Sequence, residues 1–382
     1  MALQPQQIRR RIVLGVTAAA ALAFVPVALP HAAAPSAAAI GCSNATQVAT
    51  WSLSQLANET ISVPADATNL SSISSAARQG FGGVLLFGNT APANFATQIA
   101  ALRNSVPRHG GLLVMTDDEG GGVWRLANLI APLPWAKTLA QDSPASISAL
   151  VHSAALRMSK IGVTMDLAPV ADVDGSHAYP GANNADGLRS FSGTTSVVSK
   201  DVLAYLKGFK GTNVVAVVKH FPGLGGVSPN TDDGAASTKS WSTVQATTLA
   251  PFVAAIHAGV SALMVANVKI PGLTNLPATL SPAVMSVLRN QLNFHGLIVT
   301  DSLSAGAITQ AHFGVNSAAV ASLAAGSDLI LFGIPQNGAT MALAHEISSN
   351  IVKAVAMGKI SRAQLINAAI LVVNAQHANL CG

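Results

Sequence analysis

Two strand ends in this chain carry groups that could do chemistry together. Val217-Val218-Lys219-His220-Phe221-Pro222-Gly223 closes an apolar run with an ammonium and an imidazole, then turns sharply. About eighty residues on, Leu297-Ile298-Val299-Thr300-Asp301-Ser302-Leu303 closes a second run with a carboxylate. An ammonium and an imidazole side by side can hold vicinal hydroxyls and so turn binding into positioning, while a carboxylate at a strand end can act as a nucleophile. A Lys in an apolar run without a partner or a task is unusual. For His220 alone a satisfied core histidine is the default, and the neighbouring Lys219 and Pro222 are what favour a working role. For Asp301 the bland alternative is a cap on the following helix.

Such residues need a frame that brings separate strand ends to one rim. Eight short apolar runs recur, most with a glycine just before them: Thr60 to Val63, Gly82 to Phe87, Leu112 to Thr116, Val163 to Leu167, Val214 to Lys219, Ala262 to Ala266, Leu297 to Thr300 and Leu329 to Phe332. Trp51 to Leu56 reads as an opening helix. Helical spacing fills the intervals, as in Phe95 to Leu102, Ser146 to Met158, Val197 to Phe209, Gln245 to His257 and Pro282 to Leu292. Continuous apolar strands alternating with helices imply a parallel sheet covered on both faces. Eight units predict an α/β fold of the (β/α)8 TIM barrel type, a single domain over residues 51–382. Asp117, Asp118, Asp172, Lys219, His220, Asn267 and Asp301 all fall at or beyond the C-terminal end of a run, the end where such barrels gather their chemistry.

Composition narrows the partners. The chain is 50% hydrophobic and 10% charged, which allows a large core and argues against a nucleic-acid binder. Arg9, Arg10 and Arg11 precede an apolar run from Ile12 to Leu29 in a segment without acidic residues, the pattern of a signal peptide over residues 1–39. Removing these three charges lowers the formal net charge from +5 to +2, so the basic balance is mostly a targeting feature. Pro26 and Pro30 argue against a retained membrane span. An exported protein is expected, secreted or associated with the cell envelope, with residues 40–50 as a tether. An alternative takes Ala39-Ile40-Gly41-Cys42 as a lipobox acylated at Cys42. The only other cysteine is Cys381, and two cysteines near the ends of an exported barrel predict a Cys42–Cys381 disulfide. No His-x-x-x-His with a nearby Glu indicates a metal site, and no glycine loop with Lys-Ser/Thr indicates a nucleotide cofactor. A monomer is expected.

The ordered motifs resemble glycoside hydrolase family 3, in its single-domain β-N-acetylglucosaminidase branch. The blocks are Leu85-Leu86-Phe87-Gly88-Asn89, Asp117-Asp118-Glu119-Gly120-Gly121-Gly122-Val123-Trp124-Arg125-Leu126, Ala168-Pro169-Val170-Ala171-Asp172-Val173, Arg189-Ser190-Phe191-Ser192, Lys219 to Gly223, and Thr300-Asp301-Ser302-Leu303. The resemblance implies a retaining exo-β-glycosidase of cell-wall glycan, with Asp301 as nucleophile and Lys219 and His220 as a sugar-hydroxyl clamp. Asp117, Arg125 and Arg189 become further substrate contacts. For Arg125 a salt bridge holding the Asp117 and Glu119 loop is the competing role. Glu119 and Asp172 look like loop structure.

One loop departs from the family pattern. Where the branch carries an Asp-x-His pair whose histidine is the acid/base, this chain has Leu224-Gly225-Gly226-Val227-Ser228-Pro229-Asn230-Thr231-Asp232-Asp233-Gly234, with no histidine. Asp232 stands at the histidine position and can serve as the acid/base, since a carboxyl with a raised pKa does this work in most glycosidases. Asp233 is the alternative if the loop is reshaped. Loss of the pair altogether would leave a glycan-binding barrel, and a glucoside, xyloside or arabinoside could replace the acetylhexosaminide. Asn230, Asp232 and Asp233 between Pro229 and Gly234 are also ordinary turn chemistry.

Overall fold

The computed structural model describes residues 42–107, 111–227 and 229–381. Its strands are β1 (Ser62–Asp66), β2 (Gly83–Phe87), β3 (Leu113–Thr116), β4 (Asp118–Gly120), β5 (Val123–Trp124), β6 (Met165–Asp166), β7 (Val215–Phe221), β8 (Ala262–Val265) and β9 (Leu297–Thr300). Seven form one parallel sheet in the order β1-β2-β3-β6-β7-β8-β9, and β4 and β5 make a separate antiparallel pair. The run Leu329 to Phe332 touches both edges of that sheet. Leu329 bridges Val299 and Ile330 bridges Ile61, with Thr300 N donating to Leu329 O at 3.0 Å and Ser62 N to Ile330 O at 3.0 Å. The sheet is therefore curled, its edges facing a common segment, in a TIM-barrel-like α/β fold.

Alternation along the strands sorts the core. Leu85, Met115, Leu167, Val217, Met264 and Val299 join an inner apolar cluster, while Val84, Val114, Val218, Leu263 and Ile298 belong to the larger cluster that the helices cover. Successive side chains point to opposite faces, so a run apolar on both must be covered on both.

Several boundaries differ from expectation for local reasons. β1 runs on through Pro64, which pairs with Leu85 of β2. A proline is tolerated there because β1 is fully paired only on its β2 side. The helix expected over Gln245 to His257 is two, Trp241–Ala246 and Ala250–His257. Pro251 sits in the first turn of the second, and a proline cannot continue the preceding helix because it lacks the N–H and its ring clashes with the carbonyl four residues back. The helix from Pro282 ends at Ser286 and passes into a π turn, Val287–Gln291.

Cys42 and Cys381 are joined by a disulfide, with Cα atoms 5.9 Å apart. Residues 44–50, expected as part of a tether, are instead fastened to the fold: Asn44–Val48 is a helix, Val48 is buried, and Asn44 bonds Ala378 O at 2.9 Å and Leu380 N at 3.0 Å. A sulfur in this bond is not free to be acylated, which counts against the lipobox at Cys42. The expected signal peptide, residues 1–39, lies outside the described residues. Among the described residues no helix is long and apolar enough to cross a membrane.

Candidate active site

One cavity of about 320 Å³ opens at the C-terminal ends of the strands, and all seven residues singled out for catalysis or substrate binding line it: Asp117, Arg125, Arg189, Lys219, His220, Asp232 and Asp301. A larger cavity, about 720 Å³, is lined by Arg289, His295 and Asp328 with Ser361 and Asn367, and contains none of them.

β7 delivers the floor. Its register against β8 shifts between Val218 and Phe221, and with the pleat interrupted both Lys219 and His220 face the cavity. Gly223 then takes φ +105°, and a side chain there would meet Thr248 at 2.9 Å, so the exit turn requires glycine. Lys219 is buried with two partners: its Nζ lies 2.6 Å from Asp117 Oδ1 and 2.6 Å from Glu119 Oε1. Asp117 follows β3 and Glu119 sits in β4, whose hairpin is closed by Arg125 N donating to Asp118 Oδ1 at 2.6 Å.

Glu119 does more than its loop position suggested. Besides Lys219 it takes a two-pronged contact from Arg189, whose Nε lies 2.8 Å from Oε2 and Nη2 2.8 Å from Oε1. Burial pushes the Glu119 carboxyl up, but Arg189 and Lys219 outweigh it and hold the group well below the carboxylate range. The Lys219 ammonium is likewise held charged, because Asp117 and Glu119 offset its desolvation. Arg125 makes no such salt bridge, and its Nε is buried without a hydrogen-bond partner. The cations that hold Glu119 are Arg189 and Lys219.

Asp172 also proves to be a partner of His220. His220 Nδ1 lies 2.6 Å from its Oδ2, and Leu224 N donates to its Oδ1 at 2.8 Å. Desolvation, then Arg189, push the imidazole down to about 4, so at pH 7 it is neutral. With Nδ1–H donating to Asp172, Nε2 is left as an acceptor, 3.5 Å from Arg189 Nη2. Nε2 thus offers an acceptor to the cavity, beside the donors of Lys219. Asp186, which no motif marked, lies beside this pair. Asp172, Asp186 and His220 are the one group of potential ligand side chains among the described residues that come within 4.8 Å of one another.

The two candidate reacting carboxyls share a framework. Asp301 follows β9, its N–H donating to Val265 O at 3.0 Å and its Oδ1 accepting from Ser302 N at 2.6 Å. Asn267 steadies that turn through Ser302 O at 2.8 Å. The Asn230 to Gly234 turn docks on the next helix, Gly306–Gln310: Gly306 N donates to Asp232 O at 2.8 Å and Ala307 N to Thr231 O at 2.9 Å. Asp232 lines the cavity and Asp233 does not. Asp232 keeps an exposed outer face, yet desolvation raises its pKa, with Asp233 and Asp117 adding to the rise and Arg189 opposing it. Asp301 is raised too, first by desolvation, with His220 opposing and Asp232 adding. Asp301 thus feels the charge of Asp232 across the cavity.

The model of the glycosyl hydrolase family 3 N terminal domain matches residues 53–375. A beta-hexosaminidase of Xanthomonas axonopodis pv. citri is 35% identical over 269 residues, covering 66% of this chain and 77% of that protein. Beta-hexosaminidase LpqI of Mycobacterium tuberculosis is 33% identical over 229 residues, 58% of each. The solved structure of M. tuberculosis LpqI aligns with a TM-score of 0.79 at 27% identity, covering 88% of this chain and 97% of that one. A family 3 glycosyl hydrolase of Mycobacterium smegmatis aligns at 0.77 and 29% identity, covering 86% and 98%. The family model matched over residues 53–375, with the beta-hexosaminidase relatives, places the chain in glycosyl hydrolase family 3, as a glycoside hydrolase of O-glycosyl bonds.

Proposed function

We propose that this protein is an exported retaining exo-β-N-acetylhexosaminidase of cell-wall glycan. Asp301 attacks the anomeric carbon, Asp232 protonates the leaving oxygen, and the same Asp232 then activates water against the glycosyl-enzyme. The observation that carries this is the convergence of Asp301 and Asp232 on one cavity floored by Lys219 and His220. Asp232 is favoured over Asp233 because it lines that cavity and its raised pKa suits a general acid. Lys219 and Arg189 donate to sugar hydroxyls, Asp117 and His220 accept, and Arg125 brings the guanidinium with a free Nε to the wall. The hexosaminide specificity is inferred from the relatives named above. The segment 329–332 serves as the eighth stave that closes the barrel, residues 1–39 as the signal peptide that sends the protein out.

Purified protein assayed on a panel of nitrophenyl β-glycosides tests the proposal. Turnover is expected on the N-acetylglucosaminide and lost by at least about a thousandfold in Asp301→Ala. Unchanged activity in that variant sinks the mechanism, and preference for the glucoside, xyloside or arabinoside replaces the sugar.

A further inference from the structure

Behind His220 lies a pair of carboxyls that, among the described residues, no Lys or Arg meets as an ion pair, Arg189 acting on them only at longer range. At the cavity floor the charges cancel, Lys219 and Arg189 against Asp117 and Glu119. Lys137 is engaged with Asp174, donating to its carbonyl at 2.5 Å, while the Asp174 carboxylate is held down against its burial by Ser176 N, Asn184 and Gly187 N, with Lys137 adding to them. Asp172 and Asp186 remain, both 0% exposed, within the 4.8 Å cluster with His220. Two carboxylates this close, out of water, do not both ionise.

The supply of donors decides which one keeps the proton. Asp172 accepts from Leu224 N at 2.8 Å, His220 Nδ1 at 2.6 Å and His220 N at 3.3 Å. Asp186 receives only Gly226 N, at 3.4 Å, on Oδ2, and its Oδ1 has no partner. An anion needs donors on both oxygens, whereas an acid needs an acceptor for its one hydrogen. Asp172 is furnished as the anion and Asp186 as the acid.

We propose that Asp186 is a neutral carboxylic acid at pH 7 that donates to Asp172, and so holds Asp172 as the acceptor that fixes the His220 ring. It is a positioning residue, acting on the sugar only through two others. Its surroundings agree: burial first, then Asp172 and Asp174, push its proton affinity up, against the pull of Arg189 and His220, and Lys137 also faces it. The catalytic consequence rests on the glycosidase function proposed above, but the protonation itself does not.

The sign of the linkage gives a test free of activity. A carboxyl whose folded pKa is raised above 3.8 binds a proton that the unfolded chain has released, so it costs stability progressively as pH rises from about 4. Asp186→Asn keeps the shape and the donor and removes the titration. Melting of the full chain followed from pH 4 to 9 should show the Asn variant as stable as wild type or more so at pH 7, with its advantage growing as pH rises. A variant several degrees less stable at pH 7, or one equivalent of a divalent cation found by elemental analysis in wild type and lost in the variant, would overturn the assignment. Either result would make Asp186 a carboxylate.

Turnover supplies the second arm. On a dinitrophenyl glycoside, whose leaving group needs no proton, Asp186→Asn should keep kcat/KM within about threefold, and Asp186→Ala should lose about tenfold, the scale of one buried hydrogen bond. The alkaline fall of wild type on this substrate should be absent in Asp186→Asn, and equal losses in both variants would count against the proposal. If no glycoside is turned over at all, the proposed function fails while the melting curves still decide Asp186.

Discussion

Glu119→Gln is the substitution whose consequence follows most directly from the structure. Glu119 holds Lys219 at 2.6 Å and Arg189 at 2.8 Å, and the side chains of the three are 6%, 2% and 14% exposed. The amide is the same shape but has one acceptor and one donor group, so its nitrogen must face a cation, leaving Lys219 with Asp117 alone and Arg189 without its paired carboxylate. Removing one partner of a buried, hydrogen-bonded charge set costs about 3–5 kcal/mol, because the cations left behind are uncompensated. A chain of this size has an unfolding entropy of roughly 0.7 kcal/mol per degree, so the expected fall in Tm is about 4–7 °C. Differential scanning calorimetry at pH 7 measures it. Because the Glu119 carboxyl is held below its ordinary 4.5, its contribution is present above that pH and is lost as pH falls toward the folded value. The gap between wild type and variant should therefore narrow below about pH 4.5, and it should change little with salt, since the groups are buried. A Tm within a degree of wild type at pH 7 would refute the view that this network is a net electrostatic anchor.

Three further outcomes are expected. Asp232→Ala should lose most activity on substrates with poor leaving groups and recover part of it with azide, and the same behaviour in Asp233→Ala alone would reassign the acid/base. The kcat/KM profile should be bell-shaped, its acid limb above the ordinary Asp range because Asp301 is raised by desolvation and must ionise, its alkaline limb set by Asp232 losing its proton; a flat profile from pH 4 to 8 would contradict both roles. Cys42→Ser, measured against wild type under oxidising conditions, should lower stability by about 2–4 kcal/mol, because the bond closes a loop of 339 residues in the unfolded chain; equal melting temperatures would show that the unfolded state is not constrained by it.

Lys219, His220 and Asp301 could be placed at strand ends from the sequence because apolar runs, preceding glycines and the Pro222-Gly223 turn are local signals, set by covalent spacing. The same locality explains why six of the seven main-sheet strands were found nearly in place, while β1 was cut short at Pro64: whether a proline is tolerated depends on which side of the strand is paired. The cysteine pairing was also legible, since two cysteines allow only one bridge. Partnership was not legible. Glu119 and Asp172 looked like loop residues because the cations and the imidazole that complete them lie 70, 100 and 48 positions away in the chain. Asp186 gave no signal, since a carboxylate in a polar stretch becomes unusual only when packing removes its water. Sequence alone thus determined which chemical groups reach the rim, because strand period and turn chemistry act over a few residues. Only the tertiary structure decided which charges meet, and hence which carboxyls stay ionised, because desolvation and pairing belong to the assembled cavity and to no segment of it.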